Sequence, residues 1–388
     1  MKSPFLELRK FVAPEFVFGV GARHLISRYL LNFGARKVML VSDDVLYDKT
    51  PWVRELEANL KSAGIEYVLF LQVSPNPRSK EVMAGAALFT KEQCKGIVAL
   101  GGGSVMDCAK GIGIVCANGG NIVDFEGVDK IPHAMPLLVC LPTTSGSASE
   151  VSQFSIILNE AKKCKIAIVS KAVVPDTALL DPEVTATMDP YLTACSGMDA
   201  LTHAIEAFVS NASSPFTDVH AKEAIRLIWG ALPRVAADPT DLIARAEMML
   251  GSLQAGLAFS NAILGATHAM AHSLGGFFDL AHGECNAILL GPVVEYNYSA
   301  EPEKFAEIGD IIGCDVKGKA TAAAGSELCR HIEAFRRRVG VGKTLTELGV
   351  SRSDIAKLVG AALQDACMAT NPKSMVDKDV MAVYEQAL

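Results

Sequence analysis

Up to about residue 185 the chain alternates short apolar, β-branched runs with helical patterns. Lys37 to Ser42, Tyr67 to Leu71, Gly96 to Leu100 and Leu137 to Leu141 read as buried strands, and Pro51 to Ala63 and Ser79 to Thr90 read as helices between them. Such alternation predicts parallel strands with helices on both faces. Phe154 to Leu158 and Lys165 to Val169 flank a polar turn, Asn159 to Lys163, which predicts a hairpin. After Leu180-Asp-Pro182 strand patterns stop and helix starts take over. Asp189-Pro190 and Ser214-Pro215 each set an N-cap residue before a proline at the first helical position. The expected division is an α/β domain over 1–185 and a helical domain over 186–388, with no internal repeat.

Length agrees with that division, since 388 residues exceed the roughly 250 to 300 at which single cores stop growing. Half of the residues are apolar and a fifth charged, so a large core is available. The net charge of -7 comes with one dense basic run, Arg336-Arg337-Arg338, which ends a helical pattern and complements a helix C-terminus. Nucleic acid is therefore not an expected partner. Ten cysteines are spread along the chain with no C-x-x-C pair, as reduced thiols are. No apolar run approaches the roughly 18 residues of a membrane span, and Glu7, Arg9 and Lys10 interrupt any apolar leader. A cytoplasmic protein is expected.

Four of the eight histidines and one carboxylate gather in two apolar-rich segments. Asp199 and His203 are four apart, as are His268 and His272, and His282 follows ten residues later. On a helix, positions four apart project from one face, so each helix can aim two groups at one point. Imidazole with carboxylate suits Fe, Zn, Co or Ni, whereas calcium prefers an all-oxygen shell and soft structural sites recruit thiolates. Each residue alone is more simply a hydrogen-bonded core group. Together they predict one divalent metal site.

A second motif lies in the first domain. The strand Gly96 to Leu100 runs into Gly101-Gly102-Gly103-Ser104-Val105-Met106-Asp107, which opens a helical pattern. Glycines there let backbone amides at a helix N-terminus approach an anion such as a dinucleotide pyrophosphate, although glycine turns also serve tight packing. Asp43 ends the strand Val38 to Ser42, where an acid can accept from adenosine ribose hydroxyls and repel a 2'-phosphate. This acid precedes the glycine turn, unlike the usual Rossmann order, and its neighbour Asp44 competes for the role. Pro142 to Glu150 adds a hydroxyl-rich loop able to meet phosphate or nicotinamide.

Taken together, Gly101-Gly-Gly-Ser104 with Asp107, Pro75-Asn76-Pro77, Thr143-Thr144-x-Gly146, Gly197-Met-Asp-Ala-Leu-Thr-His203, and His268-x-x-x-His272 with His282-Gly283 resemble the iron-containing (group III) alcohol dehydrogenases. The likeness runs from Phe16 to Pro372 and looks most like the 1,3-propanediol dehydrogenase and lactaldehyde reductase branch. The resemblance implies a Rossmann-like dinucleotide-binding α/β domain followed by an all-α metal-binding domain. It implies metal ligands Asp199, His203, His268 and His282, with His272 beside them as the catalytic proton carrier. It further implies NAD contacts at Asp43, Asn76, Gly101, Gly102, Gly103, Ser104, Asp107, Thr143, Thr144, Ser147 and Lys165. Ser145-Gly146-Ser147 replaces the family's commoner Ala-Gly-Thr, and Val105-Met106 after the glycine turn stands where many relatives carry a proline or a different pair.

The implied reaction interconverts short primary alcohols or diols and aldehydes by hydride transfer to and from NAD. A divalent ion acts as a Lewis acid on the substrate oxygen. Four protein ligands leave that oxygen a further position, which six-coordinate Fe(II) accepts and tetrahedral Zn does not, so iron is expected ahead of Zn, Co, Ni or Mn. Imidazole, with an ordinary pKa of about 6.5, suits proton transfer at His272. Phe259, Phe277 and Phe278 are candidates for a pocket wall, or core. A homo-oligomer is expected. Two alternatives share the plan: a lyase of the dehydroquinate synthase type, which would want basic residues near the metal, and a non-catalytic regulatory relative.

Overall fold

The computed structural model describes residues 8–162 and 164–388, which form two compact units: residues 12 to 188, and residues 189 to 388 with those described before Val12. In the first unit the strands are β1 (Glu15–Phe18), β2 (Lys37–Val41), β3 (Glu66–Phe70), β4 (Gly96–Gly101), β5 (Gly127–Val128), β6 (Leu137–Pro142), β7 (Phe154–Asn159), β8 (Cys164–Val169) and β9 (Thr177–Leu180). Six of them make one parallel sheet in the order β1-β9-β6-β4-β2-β3. The helices are α1 (Ile26–Asn32), α2 (Asp44–Lys49), α3 (Trp52–Ser62), α4 (Ser79–Lys91) and α5 (Gly103–Asn118).

Successive residues of a strand point to opposite faces, and here both faces are covered. Val38, Leu40, Val98 and Leu100 pack with Ile26, Leu30, Val53 and Leu60 from α1 and α3. Met39, Val41, Ile97 and Ala99 pack with Val82, Phe89, Met106 and Ile112 from α4 and α5. Burial on both sides is why β2 and β4 are unbroken apolar runs. The expected hairpin is β7 with β8, antiparallel and joined by β5 into a small second sheet. Lys163, at the end of the expected turn, lies outside the described residues. Strands β1, β5 and β9 are additions that the hydrophobic pattern did not signal.

The second unit holds α6 (Pro190–Val209), α7 (Pro215–Ala237), α8 (Leu242–Ala262), α9 (Ala266–Phe278), α10 (His282–Asn297), α11 (Pro302–Ile312), α12 (Thr321–Arg338), α13 (Ile355–Gln364) and α14 (Asp377–Ala387). Asp189 caps α6 by accepting from Tyr191 and Leu192 N–H groups, and Ser214 caps α7, each before a proline. At the end of α12 the buried Arg336 guanidinium donates to the Val341 and Lys343 carbonyls and pairs with Glu333, so the basic run closes a helix C-terminus. Helix α6 packs against α7, α8 and α10 and is buried along most of its length. Among the described residues no disulfide is formed, and no single helix is long and apolar enough to cross a membrane.

Candidate metal centre and nucleotide cradle

Three helices of the second unit bring the metal-ligating types together. Asp199 and His203 lie one turn apart on α6, His268 sits in the first turn of α9, and His282 begins α10. One ligand atom from each falls within 4.8 Å of all the others. Asp199 Oδ1 is 3.8 Å from His268 Nε2 and 3.7 Å from His282 Nε2. The rings of His203 and His268 stack with centroids 4.5 Å apart, and Phe259 covers the other side of His203 at 4.3 Å. Phe277 and Phe278 instead lie at the far end of α9, near Lys357.

Gly283 permits this convergence. A Cβ at that position would stand 2.6 Å from the Cys195 carbonyl oxygen, so any other residue would push the first turn of α10, and His282 with it, away from α6. Three imidazoles and one carboxylate, mostly buried, fit a borderline divalent cation such as Fe(II).

Carboxylates behind the imidazoles set their orientation. Glu206, on α6 three residues after His203, is buried, and its oxygens accept from His268 Nδ1 at 2.7 Å, Thr267 N at 2.6 Å and Gly265 N at 2.9 Å. Burial opposes ionisation of Glu206, but the bond and charge of His268 and these N–H groups hold its carboxyl below the ordinary value. An ionised Glu206 makes His268 Nδ1 the donor, which leaves the Nε2 lone pair facing the cluster. It also satisfies the first amides of α9, whose N-cap Gly265 offers no side chain.

His272, one turn further along α9, has a separate partner: its Nδ1 lies 2.8 Å from Asp365 Oδ2. Burial again opposes ionisation, yet the charge and bond of His272 with the Cys367 N–H bring the Asp365 carboxyl down to about 2. The His272 ring stacks on His282 at 5.2 Å. Cys367 also lies close to this pair, but burial pushes its thiol well above the ordinary value, so it is a poor thiolate ligand. The loop carrying Asp365 is anchored to the start of α9 by Asn371, whose Oδ1 accepts from Ala266 N at 3.1 Å, and by Thr370, which donates to the Leu264 carbonyl at 2.6 Å. Glu206, Asp365 and Asn286 were not expected from the sequence, although Glu206 and Asn286 follow His203 and His282 at helical spacing.

In the first unit the glycine turn joins β4 to α5. Gly102 is the N-cap of α5 and no side chain caps that helix, so its first amides are open to an anion. A Cβ on Gly103 would fall 2.6 Å from Ser147 Oγ, which shows how closely the hydroxyl-rich loop lies over the turn. The Thr143 N–H donates to the Gly101 carbonyl at 2.9 Å, which brings Thr143 and Thr144 alongside. Ser104 Oγ donates to the Pro75 carbonyl, next to the buried Asn76. Gly101, Gly102, Gly103, Ser104, Asn76, Thr143, Thr144 and Ser147 therefore share one neighbourhood. Asp107 is placed differently: its oxygens accept from Ser149 Oγ at 2.6 Å and Ile156 N at 3.2 Å, so it braces the loop from behind. Burial raises its carboxyl above the ordinary value against Lys110, these two bonds and Lys165 on β8.

Asp43 caps α2, its Oδ1 accepting from Leu46 N at 2.8 Å. Burial pushes this carboxyl up, opposed by the Leu46 N–H and reinforced by Asp44. Asp44 is exposed.

An uncapped helix over a glycine cradle and a buried cluster of three imidazoles with one carboxylate define a metal- and nucleotide-dependent oxidoreductase. The profile of the iron-containing alcohol dehydrogenases matches residues 13–182, and that of the Fe-containing alcohol dehydrogenase C-terminal domain matches 193–388. The chain belongs to the iron-containing alcohol dehydrogenase family. It is 39% identical over 371 residues to a 1,3-propanediol dehydrogenase of Klebsiella pneumoniae, covering 95% of this chain and 96% of that one. It is 35% identical over 378 residues to an NAD-dependent methanol dehydrogenase of Bacillus methanolicus, covering 97% and 99%. The crystal structure of a 1,3-propanediol oxidoreductase superposes with a TM-score of 0.94 at 38% identity, over 98% of this chain and 100% of that one. The expected resemblance, fold class and dehydrogenase activity are thus borne out.

Proposed function

We propose that this chain is a cytoplasmic, NAD-linked, Fe(II)-dependent dehydrogenase of short primary alcohols or diols, working as a homo-oligomer. The observation that carries the reading is the convergence of Asp199, His203, His268 and His282 with His272 alongside. Those four would hold the ion, which would supply the Lewis acidity that lets a substrate hydroxyl give up its proton as its carbon passes hydride to NAD. The Asp365 carboxylate keeps a proton on His272 Nδ1, so proton exchange with the substrate falls to Nε2. The Gly101 to Ser104 turn and the open N-terminus of α5 take the pyrophosphate. The small substrate class is supported by relatives such as the methanol and 1,3-propanediol dehydrogenases. The test is NADH oxidation by the anaerobic, Fe(II)-loaded protein over a panel of short aldehydes. No oxidation with any of them would overturn the reading.

Self-association rests on the sheet edge, where β1 is the outermost strand among the described residues and carries the exposed Phe16 and Phe18. A monomeric mass by light scattering would refute it.

Cofactor choice rests on Asp43. Its Oδ1 caps α2, and its other oxygen can take a ribose hydroxyl while the charge repels a 2'-phosphate. Preference for NAD over NADP on the order of a hundredfold in kcat/KM is expected. Asp43→Gly narrows that gap by improving NADP, and glycine is a good N-cap substitute costing only a few tenths of a kcal/mol. An unchanged NAD to NADP ratio in the variant would assign Asp43 to capping alone.

A further inference from the structure

Asn286 follows His282 by one turn on the same face of α10 and is fully buried. Its Nδ2 lies 2.6 Å from Asp199 Oδ1, 3.0 Å from His268 Nε2 and 3.1 Å from His282 Nε2. An amide nitrogen carries two hydrogens and cannot serve three acceptors at once. The chemistry of the acceptors decides between them. A pyridine-type imidazole nitrogen has one lone pair, and on these two rings that lone pair is the one offered to a cation. A carboxylate oxygen has two, so Asp199 Oδ1 can face an ion with one and accept an N–H with the other. The contact to Asp199 is also the shortest of the three.

The other end of the amide argues the same way. Asn286 Oδ1 is buried and makes no hydrogen bond among the described residues. A leucine has nearly the same shape and would remove that unsatisfied oxygen, so packing alone favours leucine here. An amide is explained by what its nitrogen does.

We propose that Asn286 is the positioning residue of Asp199: its N–H fixes Oδ1 toward the convergence point and keeps the carboxylate coordinating through one oxygen. Carboxylates bind cations through one oxygen or both, and a freed Asp199 would close over a position that the substrate oxygen needs. The inference rests on the metal reading of the site.

The test uses Asn286→Leu and Asn286→Ala, loaded with Co(II), with affinity measured by chelator competition and geometry read from the visible absorption bands. Asn286→Leu should fold with a Tm, in the presence of chelator, close to that of the wild type, because removing the unsatisfied Oδ1 offsets the N–H that the buried Asp199 oxygen loses. It should nonetheless bind Co(II) about 10- to 100-fold more weakly, with weaker visible bands as the coordination number rises. Asn286→Ala should lose affinity in the same way, and kcat should fall more than KM rises. A merely structural role predicts a changed Tm with wild-type Co(II) affinity and spectrum. Wild-type Co(II) affinity and spectrum in both variants would overturn this inference alone. A wild-type protein that binds no Co(II) would overturn it together with the metal reading.

Discussion

His268→Ala purifies with little metal and has negligible turnover, down on the order of a thousandfold or more. Two losses combine in this variant. The cluster loses one of four convergent donors, so affinity for the ion falls steeply. Glu206 loses the partner that holds its carboxyl down while staying buried, with only the Gly265 and Thr267 N–H groups left to it. A buried carboxylate stripped of a hydrogen-bond donor costs about 1 to 3 kcal/mol, so a lower Tm should accompany the metal loss. Elemental analysis of the purified variant decides the assignment, since stoichiometric metal there would remove His268 from the ligand set. Glu206→Gln separates the two losses. It keeps His268 and an acceptor for its Nδ1, so it should retain metal with an affinity about 10- to 100-fold weaker.

Much of this architecture was legible in the chain because it is local. Unbroken apolar runs at β2, β4 and β6 report burial on both faces, and Asp189-Pro190 and Ser214-Pro215 report helix starts by capping chemistry that needs no tertiary partner. The i, i+4 spacing of Asp199 with His203 is likewise a property of one helix. Strands β1, β5 and β9, at two to four residues, are too short to show a period and exist because neighbouring strands pair with them. Asp365 could not be linked to His272 across 93 residues by any spacing rule, since only the loop anchored by Asn371 brings it there. The Asp43 and Asp107 roles were read from position along strand and turn. The fold adds a cap to the first and gives the second to the serine-rich loop. His268 and His272 show where spacing stops: both lie on one face of α9, and both have Nδ1 tied to a carboxylate. What separates them is distance along the helix from Asp199 and His203.

That separation makes His272→Ala the complementary variant. His272 stacks on His282, while its Nδ1 belongs to Asp365, so removing it leaves Asp199, His203, His268 and His282 convergent. The variant should keep its metal while kcat falls about a hundred- to ten-thousandfold, the usual span for a lost general acid or base. The pH dependence should change with it, and Asp365 cannot be the group responsible. Its carboxyl, brought down to about 2 by the partners that outweigh burial, stays ionised across the working range and does not titrate there. Asp365→Asn tests the same arrangement without touching the imidazole. An amide that donates to Nδ1 reverses the tautomer and puts the proton on Nε2, so kcat should drop, with metal content unchanged and a displaced pH profile. Metal loss in His272→Ala equal to that in His268→Ala would show that the wrong member of the pair had been given the ligand role. Wild-type kcat in both His272→Ala and Asp365→Asn would leave the proton path to be sought at another residue.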